Sequence, residues 1–400
     1  MIRPQPTTWF EVIAAADDSR DVNKLLAAAG CAEIELAPAQ HANGAAAGQQ
    51  EQALPDHMIF ARITGWTSNT EGLASCLERS RARAVVHFPE APKELQAPLI
   101  LHNPGWIQPF EIFARLIGMP GRFVADPSGL LVFVAPVLFG YMFGDVIQGL
   151  VLIMLGLALQ RHWPMLRLLV VGGIATTAFG FVFGTAGAIH GVVPTLWVDP
   201  LDKPLPVLLM PIAFGGALLT LGLALTGLEA YWRGTLGKWL RCDAGFLVVY
   251  IGALLAFLHP AAQMLIVAGV GMHVLGSVRQ EQRIGAVFAS LGELLEKLAQ
   301  IAINTLSFVR VGAFALAHAG LSSALASTAT ATECGASHVS LLIVGNAMII
   351  IIEVLVASIQ TTRLVLFEFF TRFFQTTGRE FHPQPPLPGL SEEIKNVPRT

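Results

Sequence analysis

Residues 301–325, IAINTLSFVRVGAFALAHAGLSSAL, decide how the rest of the chain is read. The stretch is apolar and longer than the roughly 20 residues that cross a bilayer, and it carries one full charge, Arg310. A guanidinium keeps its proton in a protein, so an arginine at membrane depth must face an anion or water. The default implication is an ion pathway. The competing reading is a structural arginine that caps a carbonyl or pairs with a buried carboxylate such as Glu353.

Composition places this helix in a membrane. Hydrophobic residues make up 54% of the 400 and charged residues only 13%, with mean hydropathy +0.60; a soluble domain carries about 25% charge. Residues 1–125 hold ordinary charge density, 126–382 are mostly apolar runs, and 383–400 form a Pro-rich tail. The expected fold is mainly α: a polytopic membrane protein of about eight transmembrane helices, the last two long and tilted, behind a small α/β cytoplasmic domain. Apolar runs of spanning length fall at 128–144, 146–160, 166–190, 206–228, 244–258, 260–278, 286–326 and 339–374. Joints on the N-terminal side carry Arg161 and Arg167, then Arg233, Lys238 and Arg241, then Arg279 and Arg283. The opposite joints hold Lys203 as their one lysine, with Asp145, Asp199 and Asp202. The positive-inside rule then puts both termini in the cytoplasm and the chain in the cell (inner) membrane. The opening residues lack the apolar core of a secretory signal.

Polarity inside the membrane concentrates in the last two runs. At 100° per residue, Glu296, Gln300, Asn304, Ser307, Arg310, His318 and Ser322 share an arc of about 120° on one helix. On the next, Asn346, Glu353 and Gln360 recur every seven residues and Arg363 follows, within about 100°. The two stripes face each other or a third surface. His318 alone reads as a packing histidine as readily as a relay, and Glu296 as an interface residue pairing with Lys297. Asp145, at a hairpin, reads as a helix cap or turn as readily as an ion contact. Gly172, Gly173, Gly180, Gly184 and Gly187 mark close helix packing in the third run.

The soluble part alternates strands at 9–14, 34–36, 58–65 and 84–88 with helices at 21–29 and 71–79, a βαβ-βαβ pattern. Residues 37–55, rich in Ala, Gln and Gly, read as a loop or linker. Cys31, Cys76, Cys242 and Cys334 form no CxxC pair, so no zinc site or disulfide framework is indicated. A net charge of −3 and pI near 6.4 offer no basic surface for nucleic acid. GTLGK at 234–238 lacks the phosphate-loop spacing, so no nucleotide cofactor is expected.

Several motifs in order resemble one family: subunit I of prokaryotic V-type rotary ATPases, the counterpart of the eukaryotic V-ATPase subunit a. FGYMFGD at 139–145 resembles its first-hairpin motif, and the pre-membrane segment from Pro109-Phe110 to Asp126-Pro127 is similar too. LSFVR at 306–310 with LAHAGLS at 316–322 resembles its arginine helix. Gly345-Asn346, Glu353, Gln360, Arg363 and the phenylalanines at 367–374 resemble its last helix. The resemblance covers about 100–382. It implies a membrane stator subunit forming two half-channels that carry protons or Na+ to and from the carboxylates of a rotor ring of proteolipid (c or K) subunits.

By that resemblance Arg310 is the essential stator charge and Arg363 its second arginine. Glu296 and Gln300 would line the cytoplasmic half-channel, and His318, Ser322, Asn346 and Glu353 the other, with Gln360 at a matching channel position. A permanent cation opposite a ring carboxylate lowers its pKa and expels its ion, while an arginine cannot relay the proton itself. Other implied partners are peripheral-stalk subunits, a central-stalk collar subunit and membrane lipid. The family's larger cytoplasmic arm reads here as reduced to one lobe, to which WFEVI at 9–13 and ITGW at 63–66 are similar. A non-conducting assembly paralogue is the alternative. A stand-alone transporter would show inverted repeats, and none is seen.

Overall fold

The computed structural model describes residues 4–35, 50–53, 59–80, 83–92, 95–100, 103–122, 124–126, 128–187, 193–257, 259–281, 285–331, 335–370 and 378–383. The N-terminal lobe opens with β1 (Gln5–Pro6) and β2 (Thr8–Ala15), followed by α1 (Ser19–Ala29), β3 (Ala32–Ile34), β4 (Gln50–Ala53), β5 (Ile59–Thr67), α2 (Thr70–Glu78), β6 (Ala84–His87) and β7 (Leu99–Ile100). The central sheet runs β3-β5-β2-β6 with every pairing antiparallel, and β4 also pairs with β5. The period of two in β2 sets its faces: Phe10, Val12 and Ala14 are buried with Ile63 of β5, Val22 and Leu26 of α1, and Leu73 and Leu77 of α2, while Ile13 is exposed. Gly30 ends α1 in the left-handed region at φ 62°, and Asn69 caps α2 through Gly72 N–H.

One expectation fails here. Residues 37–55 are not a loop throughout, because Gln50–Ala53 pair with Ile59–Arg62 as a strand. The sequence QEQA has no apolar alternation to reveal it. Residues 36–49 and 54–58 lie outside the described residues, as do 384–400 of the Pro-rich tail.

The chain beyond the last helix returns to this lobe. Leu99 N–H donates to Arg379 O at 2.8 Å and Phe381 N–H to Leu99 O at 3.3 Å, while Gly378 N–H reaches Met119 O at 3.2 Å. The Arg379 guanidinium grips Glu35 through both nitrogens at 3.1 and 2.6 Å and Glu33 at 3.0 Å. The hydrogen bonds from Glu35, reinforced by both negative charges, hold the Arg379 pKa above its ordinary value. Trp66 Nε1 donates to the same Glu35 carboxylate at 2.9 Å, tying the clasp to the sheet.

A short helix α3 (Glu111–Ile117) leads into an apolar helical body: α4 (Ser128–Met142), α5 (Val146–Leu159), α6 (Arg167–Phe183), α7 (Pro204–Trp232), α8 (Leu236–Cys242), α9 (Ala244–Ala256), α10 (Gln263–Glu281), α11 (Gly285–Ser307), α12 (Val309–Ala331) and α13 (Ala336–Arg363). Among the described residues, three helical stretches are long and apolar enough to cross a membrane, Pro204–Trp232, Val287–Ala331 and Ser337–Phe369, and five shorter apolar helices accompany them. Close approach of α5 and α6 depends on missing side chains: a Cβ on Gly180 would collide with the backbone where Asp145 meets Val146, and one on Gly173 would meet Gly149 O and Ile153.

The run expected as one helix over 286–326 is broken once. Phe308 leaves the α-helical pattern between α11 and α12, with Phe308 N–H on Thr305 O at 3.2 Å and Val311 N–H on Phe308 O at 3.0 Å. These three-residue bonds tighten the turn immediately before Arg310. The cause is tertiary. Phe308 is fully buried against Gly215 of α7, and Gly312 sits against Val207 O, so the arginine helix is drawn onto α7. After Arg363 the last helix widens into a π-turn, Leu364–Phe370, a form frequent at functional sites.

Candidate functional site

The helices α12 and α13 are packed together and run antiparallel as the two polar stripes require. Among the described residues, two hydrogen bonds between side chains join them. Arg310 Nη1 donates to Gln360 Oε1 at 3.2 Å, and His318 Nδ1 bonds Glu353 Oε2. The contacts are eight residues apart on α12 and seven on α13, about 12 and 10.5 Å of helix. Equal spacing on antiparallel helices makes them rungs of one ladder.

Arg310 is half-buried, and among the described residues no carboxylate pairs with it. Its partner Gln360 is neutral, so no described side chain compensates the guanidinium charge. Glu353, the carboxylate best placed by sequence to neutralise it, bonds His318 instead. Arg363, three residues beyond Gln360, is exposed and has no hydrogen-bond or ion-pair partner among the described residues.

His318 is 3% exposed and lies between two carboxylates. Its Nε2 is 4.0 Å from Asp145 Oδ2, on the side opposite Glu353. Asp145 is fully buried and takes the capping role: it caps α5 through Gln148 N–H at 2.9 Å and accepts from Gly187 N–H at 2.6 Å, while facing the imidazole. Thr185 Oγ1, on Gly144 O, holds the same hairpin. Asn346 joins this cluster from α13, accepting from Gln148 Nε2 at 2.9 Å and donating to Gly187 O at 3.0 Å. Ser322, one turn from His318, is buried with its hydroxyl unpartnered. Gln148 was missed by sequence reasoning; a glutamine three residues after a hairpin aspartate, in an apolar run, was its signal.

On the other side of Phe308 the picture changes. Glu296 is exposed and accepts from Gln300 Nε2 at 3.0 Å, one turn along the same helix. The pairing of Glu296 with Lys297 is not formed; Lys297 binds Glu293 at 2.7 Å and Asp243 at 3.6 Å. Lys297, Asp243 and Asn304 line a recess of about 280 Å³ with Thr226, Trp239 and Ile301, away from Glu296. Among the described residues no cluster of His, Cys, Asp and Glu has the geometry of a metal site.

No family model matches the chain. It is similar to A-type ATP synthase subunit I of Thermococcus kodakarensis, with 27% identity over 82% of this chain and 54% of that protein. The subunit I of Pyrococcus horikoshii gives 26% over 75% and 49%, and that of Halobacterium salinarum 25% over 72% and 51%. The chain spans about half the length of the curated relatives it matches. The resemblance read from its motifs is borne out.

Proposed function

We propose that this chain, related over most of its length to A-type ATP synthase subunit I, is a multi-pass membrane stator subunit of a V/A-type rotary ATPase or ATP synthase. The observation that carries this reading is the uncompensated charge of Arg310 in an apolar span. A cation at that depth needs an anion from outside the chain, and a carboxylate on a rotor ring supplies one. Arg310 draws the carboxylate into its charged form, the bound ion leaves, and the arginine itself conducts nothing.

Ions reach the ring by two half-channels. His318, Glu353, Asn346 and Ser322 line the outer one, joined by Asp145, and Glu296 and Gln300 the cytoplasmic one. Gln360 orients Arg310, and Arg363 supplies the second cation. The three long and five shorter apolar helices make eight crossings, with both termini cytoplasmic by the charge of the joints. The N-terminal lobe, clasped to the chain end by Arg379, is the attachment for stalk and collar subunits.

ATP-driven acidification of inverted vesicles, with and without sodium, tests this. Arg310→Ala in an intact complex is expected to abolish pumping, and the sodium dependence names the ion. Pumping unchanged by that substitution overturns the proposal and leaves a structural paralogue.

A further inference from the structure

A cavity of about 310 Å³ opens between α3, α4, α6 and α13, at the low end of the roughly 300–1,000 Å³ that ligand sites occupy. Phe113 of α3, Ala135 and Phe139 of α4, and Leu169 and Gly172 of α6 give it apolar walls. Gly172 makes the room, since a Cβ there would press on the Phe139 ring at 3.2 Å. Leu116, Met165 and Ser358 line the cavity and are exposed, so its mouth lies among them.

The α13 wall is different. It contributes only the hydroxyls of Ser358, Thr361 and Thr362, which share a helix face at i, i+3 and i+4. Thr361 is 4% exposed and its Oγ1 has no hydrogen-bond partner. Other helical threonines of this chain return the hydroxyl to the carbonyl four residues back: Thr177 donates to Gly173 O and Thr220 to Gly216 O, both at 2.8 Å. Thr361 makes no such bond to Ala357 O, so a buried donor is left at an apolar cavity. An occupant must then be largely hydrocarbon and still offer an acceptor. Water fails the first condition and a plain hydrocarbon the second, whereas a fatty acyl ester meets both.

The rim adds a charge. Arg161 and Arg167 flank Met165 in the sequence and are exposed, and neither has a hydrogen-bond or ion-pair partner among the described residues. No carboxylate lines the cavity among the described residues. Trp106, just ahead of α3, is also exposed, an aromatic suited to the headgroup level of a bilayer. On the orientation proposed above, this is the cytoplasmic side, where basic pockets between membrane helices take anionic headgroups.

We propose that the cavity binds an acidic glycerophospholipid, with one acyl chain between α3, α4, α6 and α13, an ester carbonyl accepting from Thr361 Oγ1, and the phosphate at Arg161 and Arg167. The site lies off the ladder, because Thr361 follows Gln360 by one residue and projects about 100° away from it. The lipid fills the space behind the helix that carries Gln360 and Arg363. This rests on the membrane placement of the helical body and not on the role of Arg310.

The test is photolabelling of the full chain in phosphatidylcholine vesicles holding a trace of phosphatidylglycerol with a photoreactive group on one acyl chain, with the labelled peptides mapped. Label is expected on the α3, α4, α6 and α13 peptides that wall the cavity; label spread evenly over all apolar helices overturns the site. The ether-linked form of the probe lacks the carbonyls and is expected to label about threefold to tenfold less, the equivalent of one hydrogen bond. Thr361→Val erases that difference and Thr361→Ser keeps it, a contrast that a packing role does not produce. Equal labelling of the native chain by ester and ether probes overturns the Thr361 contact. Ala135→Phe grows into the cavity and is expected to abolish labelling; labelling unchanged by it overturns the site. Arg161→Gln with Arg167→Gln lowers labelling to that of photoreactive phosphatidylcholine, and a native chain that labels equally with both headgroups overturns the charge assignment. If Ala135→Phe fails to fold, the ester and ether probes on the native chain decide. Labelling needs neither ATP nor a rotor ring, so its outcome and that of Arg310→Ala are read separately.

Discussion

The polar residues on the two sides of Arg310 are held in opposite ways. Toward the His318 end, five side chains from three helices and the hairpin before α5 are joined to one another and largely closed off from solvent: Asp145, Gln148, His318, Asn346 and Glu353. Toward the Glu296 end, the glutamate is exposed and bonded only to Gln300 of its own helix. On the proposed reading, one half of the path is closed within this chain, and the other half is a surface that a neighbour completes. A polar stripe on a helix therefore does not by itself reveal a channel; what packs against it decides.

Substitutions break this comparison in graded steps. Gly180→Leu is expected to act hardest, because the new side chain meets the Asp145–Val146 backbone rather than a movable group. Overpacking there costs about 1–3 kcal/mol or more and separates α6 from the hairpin that positions Asp145, so thermal unfolding of the solubilised chain shifts down and pumping is lost together. Glu353→Leu comes next. It leaves His318 buried without its partner, a penalty of about 1–3 kcal/mol, so both stability and pumping fall. Phe308→Ala opens a cavity against α7, where Phe308 packs on Gly215, and relaxes the turn before Arg310; truncating a buried Phe costs about 3–5 kcal/mol, so the unfolding temperature falls at least as far as for Gly180→Leu, but the Asp145 hairpin and the His318–Glu353 pair stay in place and pumping falls less. Glu296→Gln is the sharpest contrast. As an exposed change it moves stability by no more than about 0.5 kcal/mol, so pumping falls with the unfolding temperature unchanged. A stability loss at Glu296 equal to that at Glu353 would erase the distinction between the two sides.

Much of the site was legible because an ionisable group in an apolar run is costly and has to be accounted for. Arg310, His318 and Glu353 stood out that way, and the ladder that joins them follows from helical periodicity applied twice. Gln148 did not stand out, because its importance comes from Asn346, 198 residues away, and no local pattern encodes that bond. The break at Phe308 was equally hidden: IAINTLSFVRVGAF reads as unbroken helix, and only the groove at Gly215 pulls the turn out of register. In the lobe, β2 and β5 announced themselves by alternating apolar residues, whereas β4, four residues of QEQA, has nothing to announce. Lys297 is a caution of another kind. Adjacent residues point about 100° apart on a helix, so Glu296 and Lys297 never had geometry for the pair that sequence proximity invites.

The Arg379 clasp gives the lobe two attachments where a domain ahead of a membrane body usually has one. The first is the chain entering α3 and α4; the second is the chain leaving α13, held by Leu99, Glu33 and Glu35. A body hung from a single strand swivels and passes on little twist. Hung from both sides of the helical body, it becomes a bracket: a pull on the lobe divides between α4 and the helix that carries Glu353 and Gln360, and neither is peeled away alone.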